Sequence, residues 1–347
     1  MCPEADRVVS AEIAKCVSEV NLLFTVFTPV YNRGDRVHRV WESLRAQTCR
    51  DFEWIAVDDG STDNSVEVLE GFARQADFPV QIIKKENGGK HTAWNPAVQL
   101  AKGELFVPLD SDDACTPEAL ERFGYWWLSI PENQRPQYAG INVLCKDPVT
   151  GQTIGSAYPQ SPMTSHNLDL VYLNKMSGEK WGCVRTDVLR EVPYPTERWT
   201  WGNMSENYLW FQIARRYKTL CVNEALRIYY ADDVQSLSNV QTGGMPARLR
   251  RNVGPRYFFK NWHLNTNLDY LLKDKTDLLK TLIDVWINGM TLKGSALQVL
   301  RDSRGIVPFL FRLGAMPAGL AAYAYCRFRN RGLGTPGSKP PSRARSD

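Results

Sequence analysis

Apolar positions come in short blocks that end abruptly in polar loops. Phe24-Thr25-Val26-Phe27-Thr28 is a β-branched and aromatic run stopped by Pro29, and Ile55-Ala56-Val57 is another, stopped by Asp58-Asp59-Gly60-Ser61. Between and after them the period changes to a helical one. Val37, Val40, Trp41 and Leu44 fit a helix over 35–46, and Val66, Val68, Leu69 and Phe72 fit one over 64–74. A strand over 80–83, a helix over 92–101 and a further strand ending at Pro108 continue the series. Strand and helix in strict alternation predict an α/β chain with a mostly parallel, Rossmann-like sheet flanked by helices. Any ligand then lies beyond the carboxyl ends of the strands, where the polar loops fall.

The chemistry concentrates at one of those ends. In Leu109-Asp110-Ser111-Asp112-Asp113 three carboxylates crowd into four residues. They repel one another unless a cation or hydrogen-bond donors neutralise them, and Mg²⁺ or Mn²⁺ prefers such oxygen ligands. A divalent ion carrying a diphosphate answers that need. So does a plain helix N-cap, since Asp suits the start of a helix near Thr116-Pro117-Glu118.

Five stretches together resemble the family 2 glycosyltransferases of GT-A fold: Thr28-Pro29-Val30-Tyr31-Asn32-Arg33, Ser43-Leu44-Arg45-Ala46-Gln47-Thr48, Val57-Asp58-Asp59-Gly60-Ser61-Thr62-Asp63, Asn87-Gly88-Gly89-Lys90 through Asn95, and 109–113. Their order and spacing match the family over roughly 22–125. The resemblance implies that Pro29, Tyr31 and Asp59 hold the nucleotide base and that Lys90 lies near the diphosphate. It also implies that Asp110, Ser111 and Asp112 form the Asp-X-Asp motif for ribose and metal, with Asp112 the direct metal ligand beside Asp110.

The residue types suit those roles. The Tyr31 ring can stack on a pyrimidine, and Asp59 can accept from the imide N–H of uracil, which favours a UDP-sugar. Asp58 reads as a turn residue. Lys90 offers a compact charge from a glycine-flanked loop, and His91 reads as a hydrogen-bonded scaffold residue. Without the resemblance, the Asp-Gly-Ser-Thr-Asp run is an ordinary loop and N-cap signal.

Beyond Phe123 the alternation fades, as the resemblance implies for an acceptor-binding half. A strand over 138–145, a turn at Asp147-Pro148-Val149-Thr150-Gly151 and a return over 152–155 predict a hairpin. Trp181 and Asp113 are candidate contacts for sugar or acceptor, Trp181 reading equally as a core residue. In Asn203-Met204-Ser205-Glu206-Asn207-Tyr208, family members commonly place a Glu-Asp pair whose Asp is the general base; here Asn207 cannot take a proton. A branch of the family with Pro-Glu-Gly at this place makes Glu206 the catalytic carboxylate by resemblance, with Asp187 and Glu179 next in line. Ser205 as N-cap is the bland rival.

Composition narrows the setting. The 347 residues are 43% apolar, and a formal charge of +4 argues no nucleic-acid partner. Eight cysteines without Cys-X-X-Cys spacing read as reduced thiols, and charges scattered through the first 20 residues argue against a signal peptide, so the cytoplasm is the expected compartment. The chain is expected to comprise an extension over 1–20, a GT-A domain over 21–240 with its nucleotide half at 21–125 and acceptor half at 126–240, a helical extension over 241–331, and a disordered tail over 332–347. Residues 268–290 read as one helix. The apolar stretch 305–326, with Arg312 its only charge and Pro308 and Pro317 against one straight helix, reads as an interfacial helix on an anionic membrane surface or as a helix packed on the core. The expected activity is inverting transfer from a UDP-sugar to a lipid-linked or polysaccharide glycan acceptor, peripheral at the inner membrane face. A carbohydrate- or nucleotide-binding protein without turnover is the alternative.

Overall fold

The protein was analysed as a computed structural model that describes residues 22–200, 202–231 and 245–329. The expected N-terminal extension and C-terminal tail lie outside them. The first half alternates as expected: β1 (Phe24–Val30), α1 (His38–Arg45), β2 (Phe52–Asp58), α2 (Ser65–Gln75), β3 (Val80–Lys84), α3 (Lys90–Leu100) and β4 (Leu105–Pro108). These four strands are parallel in the order β3-β2-β1-β4. Successive side chains of a strand point to opposite faces, so the runs must be apolar on both. Phe24, Val26, Trp54, Ala56, Leu105 and Val107 face one core with Trp41 and Leu44 of α1. Phe27, Ile55, Val57 and Phe106 face the other, where Trp94 of α3 meets Phe27 edge-on at 5.5 Å.

The second half extends this sheet. β5 (Ala114–Cys115), α4 (Ala119–Ser129), β6 (Tyr138–Lys146), β7 (Met163–Ser165), α5 (Asn167–Tyr172), β8 (Lys180–Arg185), α6 (Thr186–Glu191), α7 (Asn207–Ala214) and β9 (Lys218–Ile228) follow. β8 runs antiparallel between β4 and β6, β9 lies parallel to β6, and β5 and β7 pair antiparallel with β9. β9 therefore ends beside the segment that follows the acids. Gln47 ties the first half to that same segment: its Nε2 donates to the Thr116 carbonyl at 2.8 Å and its Oε1 accepts from the Leu120 N–H at 3.0 Å.

Helices α8 (Met245–Thr266), α9 (Leu268–Leu271), α10 (Lys275–Lys293), α11 (Ala296–Arg301) and α12 (Ile306–Arg329) complete the described chain. They bury Tyr257, Leu264, Val285 and Trp286 together with Phe211 of α7. The structure refines three local expectations. The stretch 268–290 is two helices, because Asp274 accepts from the Thr276 and Asp277 N–H groups at 3.0 Å and caps a new start. The hairpin return over 152–155 is short: Lys146 bridges Thr153, the Asp147 N–H donates to the Gln152 carbonyl and the Ile154 N–H to the Cys145 carbonyl, both at 2.9 Å, and the Asp147 carboxylate accepts from the turn's Val149 and Thr150 N–H groups. And 306–329 is one helix despite its prolines. Pro308 sits in the first turn, where its missing N–H has no partner to lose, and Pro317 lies on the solvent side, where water can serve the orphaned carbonyl.

Candidate active site

The carboxyl ends of β1, β2 and β4, the start of α3 and the start of α7 converge. Tyr31 follows β1 directly and is 46% exposed, with its ring available to a planar ligand, and Pro29 precedes it as the penultimate residue of β1. Asp58 is a turn residue, as expected: its carboxylate accepts from the Ser61 N–H at 3.1 Å.

Asp59 is not placed as expected. It is buried, and its oxygens accept from the Gly88 N–H at 3.0 Å, the Gly89 N–H at 2.7 Å, Asn87 Nδ2 at 3.2 Å and the Lys85 ammonium. A carboxylate offers about four acceptor sites, so Asp59 is engaged in shaping the loop 85–90 and has no spare lone pair for a uracil imide. What sequence reasoning missed is that Lys85 and Asn87, unremarkable in a polar loop, are its partners.

That loop delivers Lys90 as the first residue of α3. Its Nζ lies 2.5 Å from Asp110 Oδ1 and 2.6 Å from Glu206 Oε1. Burial would lower the ammonium pKa, but the two carboxylates outweigh it and raise it above its ordinary value. The loop can come this close to the Glu206 segment because Gly89 has φ +102° and no side chain. A Cβ there would stand 2.0 Å from the Gly202 carbonyl oxygen. His91, next in line, points Nε2 at the Trp199 carbonyl at 2.7 Å, and burial lowers its pKa and keeps it neutral. It is the scaffold residue expected.

The acid cluster divides into three roles. Asp110 Oδ2 accepts from Arg227 Nη2 at 2.7 Å, so both its oxygens are engaged. Burial would raise this carboxyl; Lys90 and Arg227 outweigh it and hold it well below the ordinary carboxylate range. Asp113 is 1% exposed, accepts from Arg227 and from the Tyr230 N–H at 2.8 Å, and is pushed up to about 6 by burial against the opposing pull of Arg227. It is a strut beneath the loop and cannot touch a sugar or acceptor. Ser111 is buried, Asp112 is partly exposed, and Arg39 Nη1 donates to the Asp112 carbonyl at 3.0 Å while stacking over Tyr230 at 3.9 Å.

Arg227 is the functional residue the sequence reading passed over. A lone arginine between Leu226 and Ile228 of a strand must find buried anions, and the chain offers an acid cluster in surplus; that imbalance was the available signal. Trp181 is corrected as well. It is 3% exposed, donates from Nε1 to the Pro108 carbonyl at 2.6 Å and packs 5.0 Å from Phe123, so it is core.

Glu206 occupies the N-cap position of α7 without a side-chain cap, and Ser205 supplies only its carbonyl to the Tyr208 N–H. The Glu206 carboxylate, partly exposed, is directed to Lys90 instead. Asn207 is the first helical residue. Among the described residues, three or more metal-ligating side chains do not gather at one point. A magnesium-like ion held by one or two carboxylates plus substrate phosphates needs no such cage, and the partly exposed Asp112 beside the fully engaged Asp110 fits that mode.

Residues 25–127 match the sequence profile of Glycosyl transferase family 2. Over that segment the chain is similar to the family 2 glycosyltransferases. It is 40% identical over 100 residues to glycosyltransferase GlyG of Streptococcus pneumoniae, a stretch that is 28% of this chain and 33% of GlyG. The matched stretches span 17% to 62% of the first curated relatives it resembles. In fold, this chain is similar to S. aureus TarS 1–349 in complex with UDP-GlcNAc, with a TM-score of 0.54 and 17% identity over 89% of this chain and 92% of that one. It is also similar to the mannosyltransferase PcManGT from Pyrobaculum calidifontis in complex with GDP-Man and Mn²⁺, with a TM-score of 0.50 and 16% identity over 94% and 91%.

Proposed function

We propose that this chain transfers a sugar from a nucleotide donor, a UDP-sugar, to a hydroxyl of a lipid-linked or polysaccharide acceptor with inversion at the anomeric carbon. One observation carries the reading: Lys90 joins the acid cluster at the end of β4 to Glu206 on the far segment, so that nucleotide-side and acceptor-side carboxylates share a single cleft. Tyr31 stacks on the base. Asp112 would hold Mg²⁺ or Mn²⁺, which when bound would supply positive charge beside the diphosphate. Lys90 has three donor hydrogens, two of them used, and the third serves a phosphate oxygen.

Glu206 takes the proton of the acceptor hydroxyl as that oxygen bonds to the anomeric carbon, and the bond from that carbon to the diphosphate oxygen breaks on the opposite face. The products are the extended glycan, protonated Glu206 and UDP, which carries the bonding electron pair. The chain operates in the cytoplasm. A carbohydrate- or nucleotide-binding protein that has lost turnover is supported by one residue, Asn207, where family members commonly carry a base. A screen of nucleotide sugars for Mn²⁺-dependent UDP release, with and without glycan acceptors, separates the two. Release that rises with acceptor supports transfer, and donor binding with no release under any pairing supports the binding protein.

A further inference from the structure

Helix α12 has two unlike faces. The inward face is pinned to the protein. Arg312 is fully buried, donating to the Val299 carbonyl at 3.1 Å, Ser303 Oγ at 2.8 Å and Asn261 Oδ1 at 2.6 Å. Trp286 Nε1 donates to the Arg312 carbonyl at 3.0 Å, and α12 presses so close at Gly319 that a Cβ there would stand 2.4 Å from the Trp286 side chain. The outward face carries no charge for about four turns. Ile306, Leu310, Leu313, Pro317 and Ala321 recur at three- and four-residue spacing, all exposed, with Ile306 at 73% and Phe309 beside them.

A soluble chain rarely leaves so continuous an apolar stripe in water. Its surroundings are cationic. Asp and Glu are absent from 303–329, and Arg301, Arg304 and Arg327 are exposed at the two ends of the helix. An apolar stripe with exposed arginines at both ends complements an anionic bilayer surface, where apolar side chains enter the acyl boundary and guanidinium groups meet headgroups. The helix is long and apolar enough to cross a bilayer, yet its inner face and the Arg312 network bind it lengthwise to α10. That geometry requires it to lie in the plane of the membrane.

We propose that the outward face of α12 docks the enzyme on an anionic lipid surface as an in-plane amphipathic helix. The inference deepens the acceptor reading above, since a lipid-linked acceptor is presented at such a surface, but it is tested by binding and not by turnover. The full chain is floated with vesicles of phosphatidylcholine alone and of phosphatidylcholine with phosphatidylglycerol, and its mass is measured in solution. The expected result is flotation with the anionic vesicles only, partly reversed by high salt because the apolar contacts are not screened. Phe309→Glu with Leu313→Glu, both exposed and so compatible with folding, should cut the bound fraction roughly tenfold. Arg304→Glu with Arg327→Glu should remove the salt-sensitive part. A parent that stays unbound on both vesicle types overturns the proposal, as does a parent dimer that Leu313→Glu converts to monomer without any flotation, which would assign the stripe to a second copy.

Discussion

Lys90 Nζ and Glu206 Oε1 stand 2.6 Å apart although 116 residues separate them in the chain. The ammonium that faces the nucleotide side is thus also the partner of the proposed base. Replacing Glu206 by Gln keeps the shape and a hydrogen-bond acceptor for Lys90 while removing the proton acceptor. Glu206→Gln should bind UDP within a few-fold of the parent and lose on the order of 10²-fold in kcat. Steady-state kinetics beside a UDP titration check this, and retained turnover would redirect attention to Asp187 or Glu179.

Lys90 itself balances two carboxylates. Lys90→Met leaves Asp110 and Glu206 facing each other without their shared cation, so UDP affinity should fall by about tenfold or more, and melting should move down rather than up. Lys90→Arg restores charge but not the compact geometry and should recover only part of the affinity. Equal UDP affinity in Lys90→Met and parent, by calorimetry, would remove Lys90 from the donor site.

Asp112 is expected to act through the metal. Asp112→Asn should weaken UDP binding in Mn²⁺ and leave binding in EDTA near that of the parent. A loss of equal size in both conditions would show that Asp112 shapes the loop and does not hold the ion.

Gly89 is a second contact between the two halves of the cleft, beside the Lys90–Glu206 pair. Gly89→Ala forces an alanine into a positive φ and drives its methyl at the Gly202 carbonyl. The segment leading to Glu206 must retreat, so kcat should fall together with donor affinity, while Gly151→Ala, at φ +68° with open space around it, should cost stability alone. Parent-like turnover in Gly89→Ala would show that the contact is dispensable.

A buried relay gives the fold an acid limit. Arg215 Nε donates to Asn267 Oδ1 at 2.7 Å, and Asn267 Nδ2 lies 3.0 Å from His263 Nδ1. His263 Nε2 lies 2.7 Å from Tyr172 Oη, whose hydroxyl donates to Asp277 at 2.6 Å. The chain is consistent only with neutral His263 carrying its proton on Nε2, and burial, reinforced by Lys260, holds this imidazole down to about 3. Below about pH 6.5 the unfolded chain binds a proton here that the folded chain refuses. Stability should therefore fall as pH drops from there toward 3, by up to about 1.4 kcal/mol per unit. Urea midpoints across that window should show a flatter slope in His263→Gln, and an unchanged slope would acquit His263.

The parallel half of the fold was legible because β1, β2 and β4 are apolar on both faces and each ends in a polar loop. The acid cluster and Glu206 were legible as residue types. Their pairing was not. Arg227 joins Asp113 across 114 positions through the register of β9 against β5, and no local pattern encodes that register. Asp59 was misread for a similar reason, since its hydrogen-bond capacity is consumed by Lys85 and by backbone groups of Gly88 and Gly89. Trp181 could be placed only by its neighbours Phe123 and Pro108.

The position of Arg227 on the last strand of the sheet also sets an order of events during synthesis. Asp110 has Lys90 at hand when it leaves the ribosome, but Asp113 leaves more than a hundred residues before its cation, Arg227. Until β9 is made and paired with β5, Asp113 of the nascent chain lacks its cation. A fragment that stops at residue 217 would retain β1 to β8 in sequence yet leave Asp113 without Arg227. The acid cluster is thus completed only when the final strand is in place.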